Sequence, residues 1–172
     1  PAPAANLIFS GSPKWAVSTD DVHPNVVTAG LEVTEDQSTT IRGIYVTDPD
    51  AGSDEMQVTL TAAHGVLALT SEAGEELEVD GIGTDILTLT GSMSAINGAL
   101  AGGFIYTPDA NYNGDDTVSV TVNDQGNNGP GGELTDMVQI DVTVAPVNDA
   151  PEFLTDAIQA ETVPDTSYDT KV

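Results

Sequence analysis

Two carboxylates are separated by a single residue in the segment Val46-Thr47-Asp48-Pro49-Asp50-Ala51-Gly52. Ca²⁺ takes about six to eight oxygen ligands, so a site needs carboxylates and carbonyls that converge from loops. Pro49 restricts the backbone between Asp48 and Asp50, and both side chains can reach one ion. The pair therefore predicts a calcium site. Solvated loop carboxylates are the alternative in so acidic a chain.

The segment Asp109-Ala110-Asn111-Tyr112-Asn113-Gly114 imitates the opening of an EF-hand calcium loop. An EF-hand needs a bidentate Glu at its twelfth position, and Val120 occupies that position here. We therefore predict a structural turn, with Tyr112 tucked against the domain as in a tyrosine corner. Asp116 is expected to bond the turn backbone.

The residues that could support catalysis are few. The chain has no cysteine, which excludes disulfides, thiolate metal sites and cysteine catalysis. His23 and His64 lie in no nucleophile or zinc signature. A carboxylate pair that hydrolyses glycosides needs a cleft with sugar-binding aromatics, and aromatic residues make up only 5% of the chain. We expect no enzyme.

Trp15 is predicted to pack the N-terminal arm against the domain, with stacking on a sugar ring as the alternative.

The charge of the chain restricts its partners. Only Lys14, Arg42 and Lys171 oppose 28 Asp and Glu, and the formal charge is −25. Nucleic acid needs a basic protein surface, and an anionic membrane is disfavoured for the same reason. Cations are the expected partners, because they relieve the repulsion among the carboxylates. We predict a monomeric module with no direct membrane insertion.

Short stretches in residues 22–148 alternate between apolar and polar positions, which places one face of each predicted strand in a core. Turn-forming residues separate these stretches and favour a sandwich of about seven strands. The alternating sets are Met56/Val58/Leu60, Leu67/Leu69, Leu87/Leu89, Val118/Val120/Val122 and Val138/Ile140/Val142/Val144.

One segment departs from the alternation. Ser92 can cap a short helix in which Met93, Ile96 and Leu100 share a face, and Gly102-Gly103 can end it. Such a helix would close one end of the core and carry the chain between sheets. It favours Greek-key topology over a meander.

The chain divides into three predicted parts. Residues 1–21 form an N-terminal arm or a remnant of a preceding unit, residues 22–150 form the sandwich, and residues 151–172 form a linker and the first strands of a following domain. No apolar stretch approaches the roughly 20 residues that span a bilayer. No segment resembles a signal peptide, and we expect a soluble piece of a longer protein.

Six segments form a set that is more specific than any single motif. They are Val33-Thr34-Glu35-Asp36, Val46 to Gly52, Ile96-Asn97-Gly98-Ala99-Leu100, Tyr106 to Gly114, Val122 to Asn127 and Val147-Asn148-Asp149-Ala150-Pro151. Together these segments resemble the cadherin-like repeats of giant bacterial surface adhesins of the repeats-in-toxin class. They occur in the order of that repeat and cover residues 24–151. The resemblance implies an all-β, Ig-like Greek-key sandwich, repeated in series with Ca²⁺ between domains.

The resemblance also implies metal ligands. Glu35 and Asp124 are expected to join Asp48 and Asp50 at one calcium site. Asn148 and Asp149 are expected to hold an ion where one domain passes the chain to the next. For Asp149, a turn residue before Pro151 is the alternative.

The predicted function is a calcium-rigidified spacer on the bacterial cell surface, which projects an adhesive domain and contacts its neighbours in the same chain. The alternative is a cadherin-like module that binds surface polysaccharide. The scarcity of aromatics favours the spacer. A glycan array at millimolar calcium would separate the two.

Overall fold

The computed structural model of the chain describes residues 6–9, 25–48, 51–70, 74–126 and 132–151. These residues form eleven strands and one helix, and the fold is an all-β, Ig-like sandwich. The elements are β1 (Asn6–Phe9), β2 (Asn25–Thr34), β3 (Thr39–Ile41), β4 (Ile44–Thr47), β5 (Glu55–Ala62), β6 (Gly65–Leu69), β7 (Leu77–Asp80), β8 (Ile86–Ser92), α1 (Met93–Leu100), β9 (Phe104–Pro108), β10 (Gly114–Asn123) and β11 (Thr135–Ala145).

Alternation along the strands builds the core as the sequence predicts. The alternating apolar residues of β5, β8, β10 and β11 point inward and are buried, while the Thr, Ser and Gln residues between them point outward. Ile86, at the start of β8, is the exception and is exposed. Burying one Val or Leu side chain contributes about 1.5–3 kcal/mol, so these strands supply most of the driving force. Fully buried members include Met56, Val58, Leu60, Leu87, Leu89, Val118, Val120 and Val122.

Three sheets arrange these strands in layers. One sheet has the order β2-β11-β10-β5-β8-β7, another has the order β3-β9-β6, and β1 pairs with β4. Along the chain, β5, β6, the β7–β8 hairpin, β9 and β10 alternate between the six-stranded and the three-stranded sheet. This alternation agrees with the predicted Greek-key connections. Ile44 and Val46 of β4 join the same buried core.

More strands form than the seven predicted. The chain breaks into β3 and β4 around Arg42 and Gly43, and β7 adds a short edge strand beside β8. Glycines and hairpin turns interrupt hydrogen bonding without moving the apolar face, so the alternation alone does not reveal these breaks.

The helix forms where it was predicted. The Ser92 side chain accepts a hydrogen bond from Ala95 N at 3.3 Å, and Ile96, Ala99 and Leu100 are buried. After the helix, Gly103 adopts a φ of 85°, and a Cβ there would lie 2.3 Å from the carbonyl oxygen of Ile41. Only glycine fits this close approach, which turns the chain from α1 into β9.

The strands that bring the chain into and out of the large sheet are parallel neighbours. β2 pairs with β11, and Thr34 lies opposite Ala145. The chain therefore enters the sheet at one end and leaves it at the other. We call the end that contains Glu35 and Val147 the junction end. The opposite end, which contains the first turn of α1, is the helix end.

Candidate functional site

Asp124 lies at the helix end. It directly follows β10, where Asn123 lies opposite Gln57 of β5. Two residues before Gln57, Glu55 lies opposite Ser92, the N-cap of α1. Asp124 therefore shares this end of the sandwich with the helix.

Asp48 lies at the same end. The amide of Asn97 in α1 holds β4, because its Oδ1 accepts from Val46 N at 2.7 Å and its Nδ2 donates to Val46 O at 2.8 Å. Asp48 follows two residues later and is 7% exposed. Asp50 lies outside the described residues. The fold thus brings Asp48 and Asp124 to the same end of the sandwich.

Asp124 also has a structural role in the β10–β11 connection. Its Oδ1 accepts hydrogen bonds from Gly126 N at 2.8 Å and Leu134 N at 2.7 Å, which close the base of the β10–β11 connection. The carboxyl is 5% exposed. Among the described residues, its Oδ2 accepts no hydrogen bond, so one oxygen remains for another donor or a cation.

Glu35 does not join this group. It follows β2 and lies at the junction end, beside Asn113, at the start of β10, whereas Asp124 lies at the end of β10. The ten residues of β10 separate the two carboxylates by about 30 Å at the usual strand rise. One ion cannot contact both. The grouping of Glu35 with Asp48 and Asp124 was wrong, because segment order along the chain does not reveal which end of the sandwich a loop reaches.

Glu35 lies instead against the residues that leave the domain. Its Oε1 accepts a hydrogen bond from Val147 N, and its Oε2 accepts one from Asn113 Nδ2 at 3.4 Å. Its own backbone N donates to Ala145 O at 3.0 Å. The side chain is buried, with 3% exposure. Glu35 is therefore next to the predicted junction residues Asn148 and Asp149, both of which are exposed.

No three His, Cys, Asp or Glu residues gather into a metal-type cluster within the described ranges. This search leaves out Asp50, one of the predicted ligands, because it lies outside the described residues. The metal role of all six predicted ligands, Glu35, Asp48, Asp50, Asp124, Asn148 and Asp149, stays a prediction.

A buried network at Asp116 lies near the junction end. The carboxylate accepts hydrogen bonds from Ala63 N at 3.2 Å, His64 N at 3.1 Å, Thr117 N at 2.7 Å and the Tyr106 hydroxyl at 2.5 Å. Its side chain has no exposed surface. Asp116 was expected to bond the turn at residues 109–114. It bonds the β5–β6 turn, because an inward-facing residue of β10 reaches the neighbouring strand β5.

The Asp116 network shifts the titration of two tyrosines. Burial, followed by the hydrogen bond to Asp116 and the charge of that carboxylate, raises the pKa of Tyr106 far above its usual 10.0. Loss of solvation and then the charges of Asp116 and Asp115 raise the pKa of Tyr112. Both phenols therefore remain protonated through neutral pH.

His64 connects this network to the turn at residues 109–114. Its Nδ1 lies 3.5 Å from Asp116 Oδ1, and its ring stacks on Tyr112 with centroids 4.2 Å apart. The Tyr112 hydroxyl donates to Asp115 O at 2.5 Å, and Tyr112 N donates to Asp109 O at 3.0 Å. The segment is thus the structural turn that the sequence predicts. The contact of Tyr112 with His64 was not foreseen, because the two are 48 positions apart.

His23 and Trp15, which the sequence singled out, lie outside the described residues. Gly81-Ile82-Gly83 forms the tight hairpin between β7 and β8, where Thr84 N donates to Gly81 O at 3.0 Å. The described part of the chain contains no helix that is long and apolar enough to cross a membrane.

Comparisons with known proteins give a family match and a structural neighbour. Residues 69–143 match the family model of a bacterial Ig domain. Among solved structures, the chain is similar to the seventh ScaB type I cohesin from Pseudobacteroides cellulosolvens, with 9% identity and a TM-score of 0.38. That alignment covers 72% of this chain and 93% of the cohesin. No curated protein matches the chain. The family match extends from the end of β6 into β11, and it is consistent with the Ig-like sandwich of the structure.

Proposed function

We propose that the chain is a calcium-binding extension module of a large bacterial cell-surface adhesin. One observation carries the proposal: β2 and β11 are parallel neighbours, so the chain enters the sandwich at the helix end and leaves it at the junction end. Domains joined in series by this route extend away from one another rather than fold back. The bacterial Ig match supports an extracellular, structural setting.

The carboxylates of the domain suit a hard cation. The buried polar residues in the described ranges are all acids, and each lies at or near one end of the sandwich. Of the three Lys and Arg residues, only Arg42 is described, and it is exposed. Ca²⁺ prefers oxygen ligands from carboxylates and carbonyls. The buried acids are Glu35, Asp48, Asp116 and Asp124.

The donors divide into two candidate groups. At the helix end, Asp48 and Asp124 would hold one ion, and the predicted third ligand, Asp50, lies outside the described residues. The Oδ2 of Asp124, which accepts no hydrogen bond from the described residues, fits that role. At the junction end, Asn148 and Asp149 would hold a second. A bound ion would supply the positive charge that lets the acids at each end approach. Asp116 is excluded, because four N–H and O–H donors already surround its carboxylate.

Aromatic placement favours a spacer over a polysaccharide binder. A flat sugar-binding surface needs exposed rings, and Phe104 and Tyr106 are fully buried. Tyr112 stacks on His64 instead of facing solvent alone. No residue is assigned a catalytic role in this proposal.

Calcium titration of thermal stability tests the site at the helix end. Extracellular modules bind Ca²⁺ at roughly 10⁻⁴–10⁻³ M, and a ligand at about ten times its Kd adds about 1.4 kcal/mol to the free energy of unfolding. We expect the Tm to rise with millimolar calcium in low salt. Asp124→Asn keeps an acceptor for Gly126 N and Leu134 N but removes the charge, so it should abolish much of this rise.

Asp80→Asn is the matched control. Asp80 is exposed on the β7–β8 hairpin, and its Oδ1 also accepts a backbone hydrogen bond, from Gly81 N at 2.9 Å. The control removes the same charge from a turn with no predicted ion. If both variants reduce the calcium-dependent rise in Tm equally, the rise depends on net charge alone, and the proposal of a specific site at the helix end is wrong.

A further inference from the structure

The residues that leave the domain have a single anchor. Residues 146–151 lie beyond the last strand and are exposed. Within the described part of the chain, they form one hydrogen bond, from Val147 N to Glu35 Oε1. The pairing of β11 with β2 ends two residues before Val147, where Ala145 lies opposite Thr34. The direction in which the chain leaves therefore depends on this contact.

The anchor itself is held firmly. Glu35 N donates to Ala145 O at 3.0 Å, which keeps the Glu35 backbone at the end of the β2–β11 ladder. Asn113 Nδ2 donates to Glu35 Oε2 at 3.4 Å and orients the carboxylate. The turn that carries Asn113 is itself tied to the chain after β2, since Asn111 N donates to Asp36 Oδ1 at 3.2 Å. Burial of Glu35 strengthens these contacts, because water competes poorly there.

We infer that Glu35 is a positioning residue that sets the exit direction of the chain through protein contacts alone, before any ion binds. One carboxylate oxygen accepts the Val147 N–H and the other accepts the Asn113 side-chain N–H, so Glu35 connects the exiting chain to the turn before β10. We call this pair of hydrogen bonds the clamp. A junction ion at Asn148 and Asp149 would then act on a chain already aimed away from the sandwich. The clamp forms whether or not calcium binds at either end of the sandwich, because it consists of protein atoms alone.

Amide hydrogen exchange in the presence of a calcium chelator tests the clamp. We expect the Val147 amide to be protected while those of Asn148 and Asp149 exchange freely. Loss of a hydrogen bond to a carboxylate should speed exchange at Val147 roughly tenfold or more in Glu35→Ala. The Val144 amide, inside β11, should remain protected and so report that the fold is intact.

Three further variants make the test specific. Glu35→Gln keeps an oxygen for Val147 N and should retain part of the protection. Asn113→Ala removes the orienting contact without touching Glu35 and should speed Val147 exchange less than Glu35→Ala. Glu32→Gln, at an exposed position of β2 three residues before Glu35, should have no effect. The inference is overturned if Val147 is unprotected in the chelated parent, if its protection appears only with calcium, or if Glu35→Ala leaves it unchanged.

Discussion

At the scale of single residues, Asp116 shows how a buried carboxylate organises several chain segments. It accepts hydrogen bonds from the β5–β6 turn, from its own strand and from Tyr106 of β9. Buried charges are costly unless hydrogen bonds compensate them, and here four donors do so. The Tyr106 hydroxyl is the one donor of the four that can lose its proton at attainable pH.

We predict that Tyr106 makes stability fall in alkali. Its folded pKa is raised, so the folded chain keeps the phenol proton that the unfolded chain loses near pH 10. The stabilisation is complete below the unfolded pKa and is lost as pH rises above it, at up to about 1.4 kcal/mol per pH unit. Denaturant unfolding between pH 7 and 11 measures the decline.

Tyr106→Phe separates this effect from general alkaline denaturation. It should lower the free energy of unfolding at pH 7 by about 1.5–3 kcal/mol, because a hydrogen bond to a charged acceptor is lost. It should also flatten the decline above pH 10. Tyr45→Phe, in half-buried β4, serves as the control and should keep the parent's slope. Equal slopes for the parent and Tyr106→Phe would contradict the assignment.

At the scale of elements, α1 is coupled to β4 by one side chain. The Asn97 amide donates to and accepts from the backbone of Val46, as a neighbouring strand would. This contact places the end of β4, and with it Asp48, against the helix end. The helix therefore closes the core and also positions a candidate ligand.

We predict that Asn97→Ala destabilises the domain by about 2–3 kcal/mol, since both polar groups of Val46 lose their partner. Chemical denaturation measures the change. Ser94→Ala, on the exposed side of the same helix, should stay within about 0.5 kcal/mol of the parent. A similar loss in both variants would mean that helix propensity, not the contact with β4, is responsible.

At the scale of the whole molecule, the chain enters and leaves the sandwich at opposite ends. The informative quantity is therefore the maximum dimension of domains joined in series. The formal charge of −25 repels neighbouring copies, and a chain with flexible linkers collapses toward a coil. Ions at the junction would remove hinge freedom and keep the array extended.

We predict that this chain followed by its complete downstream domain is extended in calcium and bends when calcium is removed. Small-angle X-ray scattering with and without chelator measures the maximum dimension. Asp149→Ala should bend in both conditions, because the junction ion loses a ligand. An unchanged dimension in the parent, or a variant as stiff as the parent, would leave the junction ion without a mechanical role.

The sequence by itself determined the strand-rich fold, the capped helix after Ser92 and the structural turn at residues 109–114. These depend on local periodicity, on capping and on turn chemistry, which operate over a few neighbouring residues. The identity of each candidate ligand was also visible, since acids beside loops are evident in the chain.

Only the tertiary structure decided how those ligands are grouped. Asp48 and Asp124 both lie at the helix end, and Glu35 lies about 30 Å away from Asp124 by the strand rise, beside Val147. Likewise, Asp116 meets His64 and Tyr106 across three strands. Whether a loop lies at one end of a sandwich or the other depends on strand direction and pairing. Strand direction and pairing depend on contacts between residues that are far apart in the sequence, so the local pattern of a single strand does not reveal them.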